Sequence, residues 1–79
     1  MLLGVFKVYV DYNIPICANL PKVVLEEIAI LDEAYKKDDW ETYLLHEDSV
    51  ETYLKQCLED RYINDTELDQ MFRRFGWRT

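Results

Sequence analysis

Glycine is nearly absent from this chain of 79 residues, which has only Gly4 and Gly76. Two isolated glycines so far apart cannot build a glycine-rich loop that cradles a phosphate. Serine and histidine occur once each, as Ser49 and His46. A Ser/His/Asp arrangement would have to use a serine that stands beside a predicted helix cap. The only cysteines, Cys17 and Cys57, show no CxxC spacing and no HxxxH accompanies them, so zinc held by these thiols and His46 has no support. In a cytosolic chain, two such thiols read as reduced core residues rather than a bridge. The run Asp60, Tyr62, Asn64, Asp65 superficially follows a calcium loop. Yet it places Asp65 where the sharp turn needs glycine and Met71 where a bidentate glutamate is required. No catalytic residue, metal ligand or cofactor is assigned, and the chain is read as not an enzyme.

Long hydrophobic runs are also missing. The opening MLLGVFKVYV is followed by Asp11 and broken by Lys7, carries no basic leading region or small-residue cleavage site, and is too short to span a bilayer. The expectation is a cytoplasmic protein with no membrane partner. What is present is a high apolar share, 49%, with 14% aromatic residues, well above the content of a disordered chain. Residues 1–79 are expected to form one small domain that removes only roughly 60–65% of its unfolded surface from water.

From Leu2 to Tyr12 the even positions are Leu2, Gly4, Phe6, Val8, Val10 and Tyr12, while Lys7 and Asp11 fall on odd ones. That alternation predicts a strand. Its ladder partner would be a short return strand at Ile14–Cys17, weakened by Pro15, or the same strand of a second chain, giving a homodimer. Asn19 as a cap and Pro21 in the first turn predict a helix reaching about Lys37. Its apolar stripe is Val24, Leu25, Ile28, Leu31 (or Ala29) and Tyr35, with Glu26, Glu33 and Lys37 opposite and Glu27 and Asp32 towards the flank.

Residues 38–54 contain one phrase twice, Asp38-x-Trp-Glu-Thr-Tyr-Leu44 and Asp48-x-Val-Glu-Thr-Tyr-Leu54. In one continuous helix, ten positions at about 100° each would turn the second set some 80° from the first. The phrase is therefore read as two helix starts, with Asp38 and Asp48 as caps, Glu41 and Glu51 reaching back to them, and His46 and Glu47 in the joint. Trp40, Tyr43 and Leu44 would face inward from the first, and Val50, Tyr53, Leu54, Cys57 and Leu58 from the second. A further start is predicted at Asn64, where Glu67 completes a capping box and Ile63 staples to Leu68. Gly76 ends that helix with Trp77 folded back on Phe72, and Arg73 and Arg74 sit at the negative end of its dipole. The predicted fold class is α+β: an N-terminal strand or short hairpin followed by three to four short helices.

The net charge of −7 is uneven. Residues 21–60 set twelve acids against Lys22, Lys36, Lys37 and Lys55, a balance of −8, whereas residues 61–79 come to +1. Such a field disfavours nucleic acid or an anionic membrane and favours a basic protein surface. Adjacent acids on helices usually form a solvated face, and acid–base chemistry would need them buried. In the tail FRRFGWRT, basic residues alternate with aromatics, but capping chemistry already explains its Gly76, Trp77 and arginines, so direct nucleic-acid contact is not assigned. The functional expectation is a non-catalytic acidic interaction module. Its partner-binding residues are Glu26, Glu27, Glu33, Asp39, Glu41, Glu47 and Asp48. Successive carboxylates could also imitate phosphates and make the chain an inhibitor of a nucleic-acid-binding partner. Its size and acidity suit the small proteins of phages and mobile elements.

Overall fold

Val24, Ile28, Leu31 and Ala34 lie on one side of a helix, at steps of four and three. They fill the buried face of α1, Lys22–Lys36. A computed structural model, which describes residues 10–77, adds α2, Trp40–Glu59, and α3, Asp65–Arg74. Helices α1 and α2 form an antiparallel hairpin: Tyr35 meets Tyr43 near the turn at 6.1 Å between ring centres, and Glu27 meets His46 further along. Met71 and Phe72 of α3 and Phe75 just past its end close the core, together with Leu20 and Ile63 from the connecting segments.

The predicted α+β class is corrected, because the described residues form three helices and no strand. The reason lies in where the backbone of residues 10–14 finds its partners. Val10 N–H donates to the Tyr35 hydroxyl (3.4 Å), Asp11 N–H to the Arg74 carbonyl at the end of α3 (2.7 Å), and the Ile14 carbonyl accepts from Arg74 Nε (3.2 Å). Helix ends and side chains take the place of a ladder, and Ile14–Cys17 forms no return strand. Residues 2–9 of the predicted strand, and the homodimer contact drawn through it, lie outside the described residues.

The two predicted starts at Asp38 and Asp48 are likewise corrected: α2 runs unbroken for 20 residues. Its cap is Asp39, whose carboxylate accepts from the Thr42 backbone N–H (3.2 Å) and hydroxyl (2.7 Å). Trp40, Tyr43, Glu47, Val50, Leu54 and Cys57 recur at alternating steps of three and four, a seven-residue pattern that keeps them on one face. The 80° rotation does occur. It buries Tyr43 and leaves Tyr53 out, exposes Leu44 and buries Leu54. Asp48 stands exposed in mid-helix, and Glu51 pairs with Lys55 (3.0 Å). α1 also starts later than predicted, with Pro21 in the cap position and its carbonyl accepting from Val24 and Leu25 N–H.

All three helices stop in the same way. The residue two past the last helical one takes up a left-handed conformation, and the next N–H reaches back to the carbonyl three residues inside the helix end. These bonds are Asp39 to Ala34 (2.8 Å), Tyr62 to Cys57 (2.9 Å) and Trp77 to Phe72 (2.9 Å). Only the last stop uses glycine, Gly76 at φ 74°; the others use Asp38 at 57° and Arg61 at 66°. A Cβ in that region costs on the order of 1–2 kcal/mol, least for Asp and Asn. Arg61→Gly is therefore expected to raise stability by up to about 1 kcal/mol in urea denaturation, and an unchanged midpoint would show that the turn carries no such penalty.

The start of α3 follows the predicted box. Asn64 Oδ1 accepts from Glu67 N–H (2.8 Å) and Glu67 Oε1 from Asn64 N–H (3.0 Å), with Ile63 buried and Leu68 packed on the core.

Candidate functional site

Of the sixteen acids none is buried, so no closed cavity of carboxylates exists. Their positions follow from the helix phases. In α1, Glu26 and Glu33 point to solvent and Glu27 lies at the flank facing α2; in α2, Glu41 and Asp48 point to solvent, while Glu47 occupies the inward seven-residue pattern. The seven predicted partner-binding residues therefore separate into two groups.

Four of them serve the fold. Glu27 Oε1 lies 2.9 Å from His46 Nδ1, joining α1 to α2. Glu33 pairs with Lys37 at 3.3 Å. Asp39 caps α2, and the Thr42 hydroxyl first and its N–H second hold the Asp39 carboxyl below the usual range. Glu47 Oε2 accepts from the Trp77 indole N–H at 2.8 Å, which ties the stop of α3 to the middle of α2. The remaining three, Glu26, Glu41 and Asp48, are exposed and make no ion pair among the described residues.

Around Glu47 the environment is unusual for a carboxylate. Burial raises its pKa, the Trp77 hydrogen bond opposes this, and Asp48 and Glu51 raise it further. Tyr43, 1% exposed, lies on the same face of α2 with a buried hydroxyl that finds no partner among the described residues. Burial, then the Glu47 charge, pushes its phenol far above the ordinary value. A carboxyl whose folded pKa exceeds its unfolded one holds more protons when folded, so its contribution to stability declines as pH rises from the unfolded value through the folded one. Glu47→Gln keeps an acceptor for Trp77 and removes the charge. It is expected to be more stable than the parent at neutral pH, the advantage fading below about pH 4. Urea midpoints measured across pH check this, and no advantage at pH 7 would contradict it.

Nucleophilic chemistry is poorly served here. Cys57 is buried and Cys17 half-buried; burial pushes both thiols up, with Asp60 adding at Cys57 and Glu67 at Cys17, the opposite of an activated cysteine. Among the described residues no three His, Cys, Asp or Glu side chains stand together as metal ligands, and no helix is long and apolar enough to cross a membrane.

Several residues escaped the sequence reading. Arg74, assigned to the helix dipole, is instead buried and bound to Asp32. The signal was its phase, one turn from Met71 on the apolar side of α3. Leu44, expected in the core, is 65% exposed, and Leu45 is 72% exposed. Both fall off the seven-residue pattern once α2 is taken as continuous. Compared with known proteins, the chain matches no family model, no curated protein and no solved structure.

Proposed function

We propose that this chain is a non-catalytic cytoplasmic interaction module that binds a partner protein of basic surface through the acidic exterior of α1 and α2. The observation that carries the reading is the placement of Glu26, Glu41 and Asp48: exposed, without ion pairs among the described residues, and spread over both arms of one hairpin. Unneutralised carboxylates fixed on packed helices set up a directed negative field, which steers a cationic partner and selects against an anionic one. A specific form of the proposal is an inhibitor that fills the nucleic-acid-binding groove of its partner, because lysines and arginines that meet phosphates can meet carboxylates in the same way. Phe72 and Phe75 are buried and Trp77 packs on them at 5.4 and 4.8 Å between ring centres. That removes the tail's aromatics as a stacking platform and supports a protein partner over a nucleic acid.

The test is capture from the native host at low salt, followed by affinity measurements on the identified partner at rising ionic strength. Binding is expected to weaken by about tenfold or more between roughly 0.05 and 0.5 M salt. An association indifferent to salt would refute the electrostatic reading.

A further inference from the structure

Helix α3 covers one side of the α1/α2 hairpin and leaves the other open. Arg74 reaches Asp32 on α1, and Trp77 reaches Glu47 on α2. Asp32 stands about 140° around α1 from Glu27, and Glu27 meets His46 on the far side. Along α1, Val23 and Ile30 lie four and three residues from Glu27 and share its side. Along α2, Thr42 and Tyr53 share the side of His46, and Leu45 follows one turn from Thr42. Val23, Ile30, Leu45 and Tyr53 are all exposed, and Leu45 is the most exposed large apolar side chain of the described residues. At the turn end of this face lies an open groove of about 330 Å³, lined by Ala29, Ile30, Glu33 and Ala34 on α1, by Lys37 just past it, whose charge Glu33 already meets, and by Asp39 and Thr42 at the start of α2.

The charges around this face indicate its occupant. Three of these four apolar side chains, all but Tyr53, have a carboxylate one turn away on their own helix: Glu26 beside Val23 and Ile30, Glu33 beside Ile30, Glu41 and Asp48 on either side of Leu45. Of the seven predicted partner-binding acids, the three that make neither an ion pair nor a side-chain hydrogen bond among the described residues, Glu26, Glu41 and Asp48, all flank exposed apolar residues here. A partner that buries the apolar residues must bring cations to both edges, since it also desolvates those carboxylates. A second copy of this chain is a poor candidate, because it would set the same acids against themselves at −7 per molecule.

We propose that the open α1/α2 face, with Ile30 and Leu45 as its anchors and Glu26, Glu41 and Asp48 as its rim, docks a basic amphipathic helix of the partner protein. This rests on the acidic-module reading and specifies its surface. The incoming helix lays its apolar stripe along the groove and sets lysines or arginines over the rim acids.

Two synthetic peptides test it, each about 18 residues long and so about 27 Å as a helix, against about 30 Å for α2. Both contain the same leucines, lysines and arginines, in one at helical spacing and in the other scrambled. Each is titrated into the full, nitrogen-15-labelled chain at low salt. The expected result is that the patterned peptide binds more tightly and shifts the amide signals of Val23, Ile30, Leu45 and Tyr53. An Ile30→Gln/Leu45→Gln variant, with its melting curve unchanged, binds it on the order of tenfold more weakly. Equal affinity of the two peptides, with the variant unaffected, overturns the docking face while leaving charge-driven binding intact. Failure of both peptides to bind overturns the interaction-module reading as well. Concentration-dependent shifts on this face without peptide, or contacts to it from residues 1–9, identify a different occupant and also overturn the proposal.

Discussion

Arg74→Met is expected to destabilise the chain by about 3–5 kcal/mol, out of the total of roughly 4–12 kcal/mol usual for a domain this size. The guanidinium, only 5% exposed, makes a two-pronged bond to Asp32, with Nη1 to Oδ1 at 3.1 Å and Nη2 to Oδ2 at 2.9 Å. Its Nε donates to the Ile14 carbonyl, and its Cζ lies 5.2 Å from the Tyr12 ring centre and 5.0 Å from that of Phe75. One side chain thus joins α3 to α1 and to the segment before α1. Methionine fills much of the volume, so the loss isolates the charge and its bonds rather than a cavity. Breaking a buried pair from one side strands the other ion, here an Asp32 side chain only 16% exposed, and this is the origin of the size of the effect. Asp32→Leu alone should cost a similar amount by stranding Arg74, while Asp32→Leu combined with Arg74→Met should recover much of either loss. Chemical denaturation of the four proteins closes the cycle; additive losses would mean that the two residues do not act as a pair.

The same pair shows where sequence reasoning reaches its limit. Features set by neighbours a few residues apart were legible: the Val24–Ile28–Leu31 stripe, the Asn64/Glu67 box, and the Gly76 stop with Trp77 folded on Phe72. Features set by distant partners were not. Arg74 looks like a dipole cation until Asp32, 42 residues away, supplies its counter-charge. Glu47 interrupts the apolar pattern of α2 and looks like a joint until the Trp77 indole, 30 residues away, supplies its donor. Backbone stops also misled, because Asp38 has the side chain of a helix cap while its φ of 57° ends the preceding helix. For the candidate surface, composition marked the acids. It could not separate Glu26, Glu41 and Asp48 from the four carboxylates held by internal partners, nor find Ile30 and Leu45 beside them, because both depend on one continuous phase through α2.

That continuity predicts a second large effect, at Ser49. The residue is exposed and lies ten positions inside α2, so its side chain contributes little and Ser49→Ala should be neutral or slightly stabilising. Ser49→Pro removes an interior N–H and drives the ring against the carbonyl four residues back, and is expected to cost about 3 kcal/mol or more relative to Ser49→Ala. Two helices with a cap at Asp48 would give the opposite outcome, since position 49 would then be the first helical residue, where proline is favoured. Urea denaturation followed by circular dichroism distinguishes the two, and a proline variant within about 0.5 kcal/mol of the alanine one would restore the two-helix reading. The consequence extends to binding. Glu41, Leu45 and Asp48 stand in one row only while the helix passes through residue 49 without a break, so proline there should weaken partner binding even under conditions that keep the variant folded. Ser49→Ala, with the same row intact, should bind as the parent does.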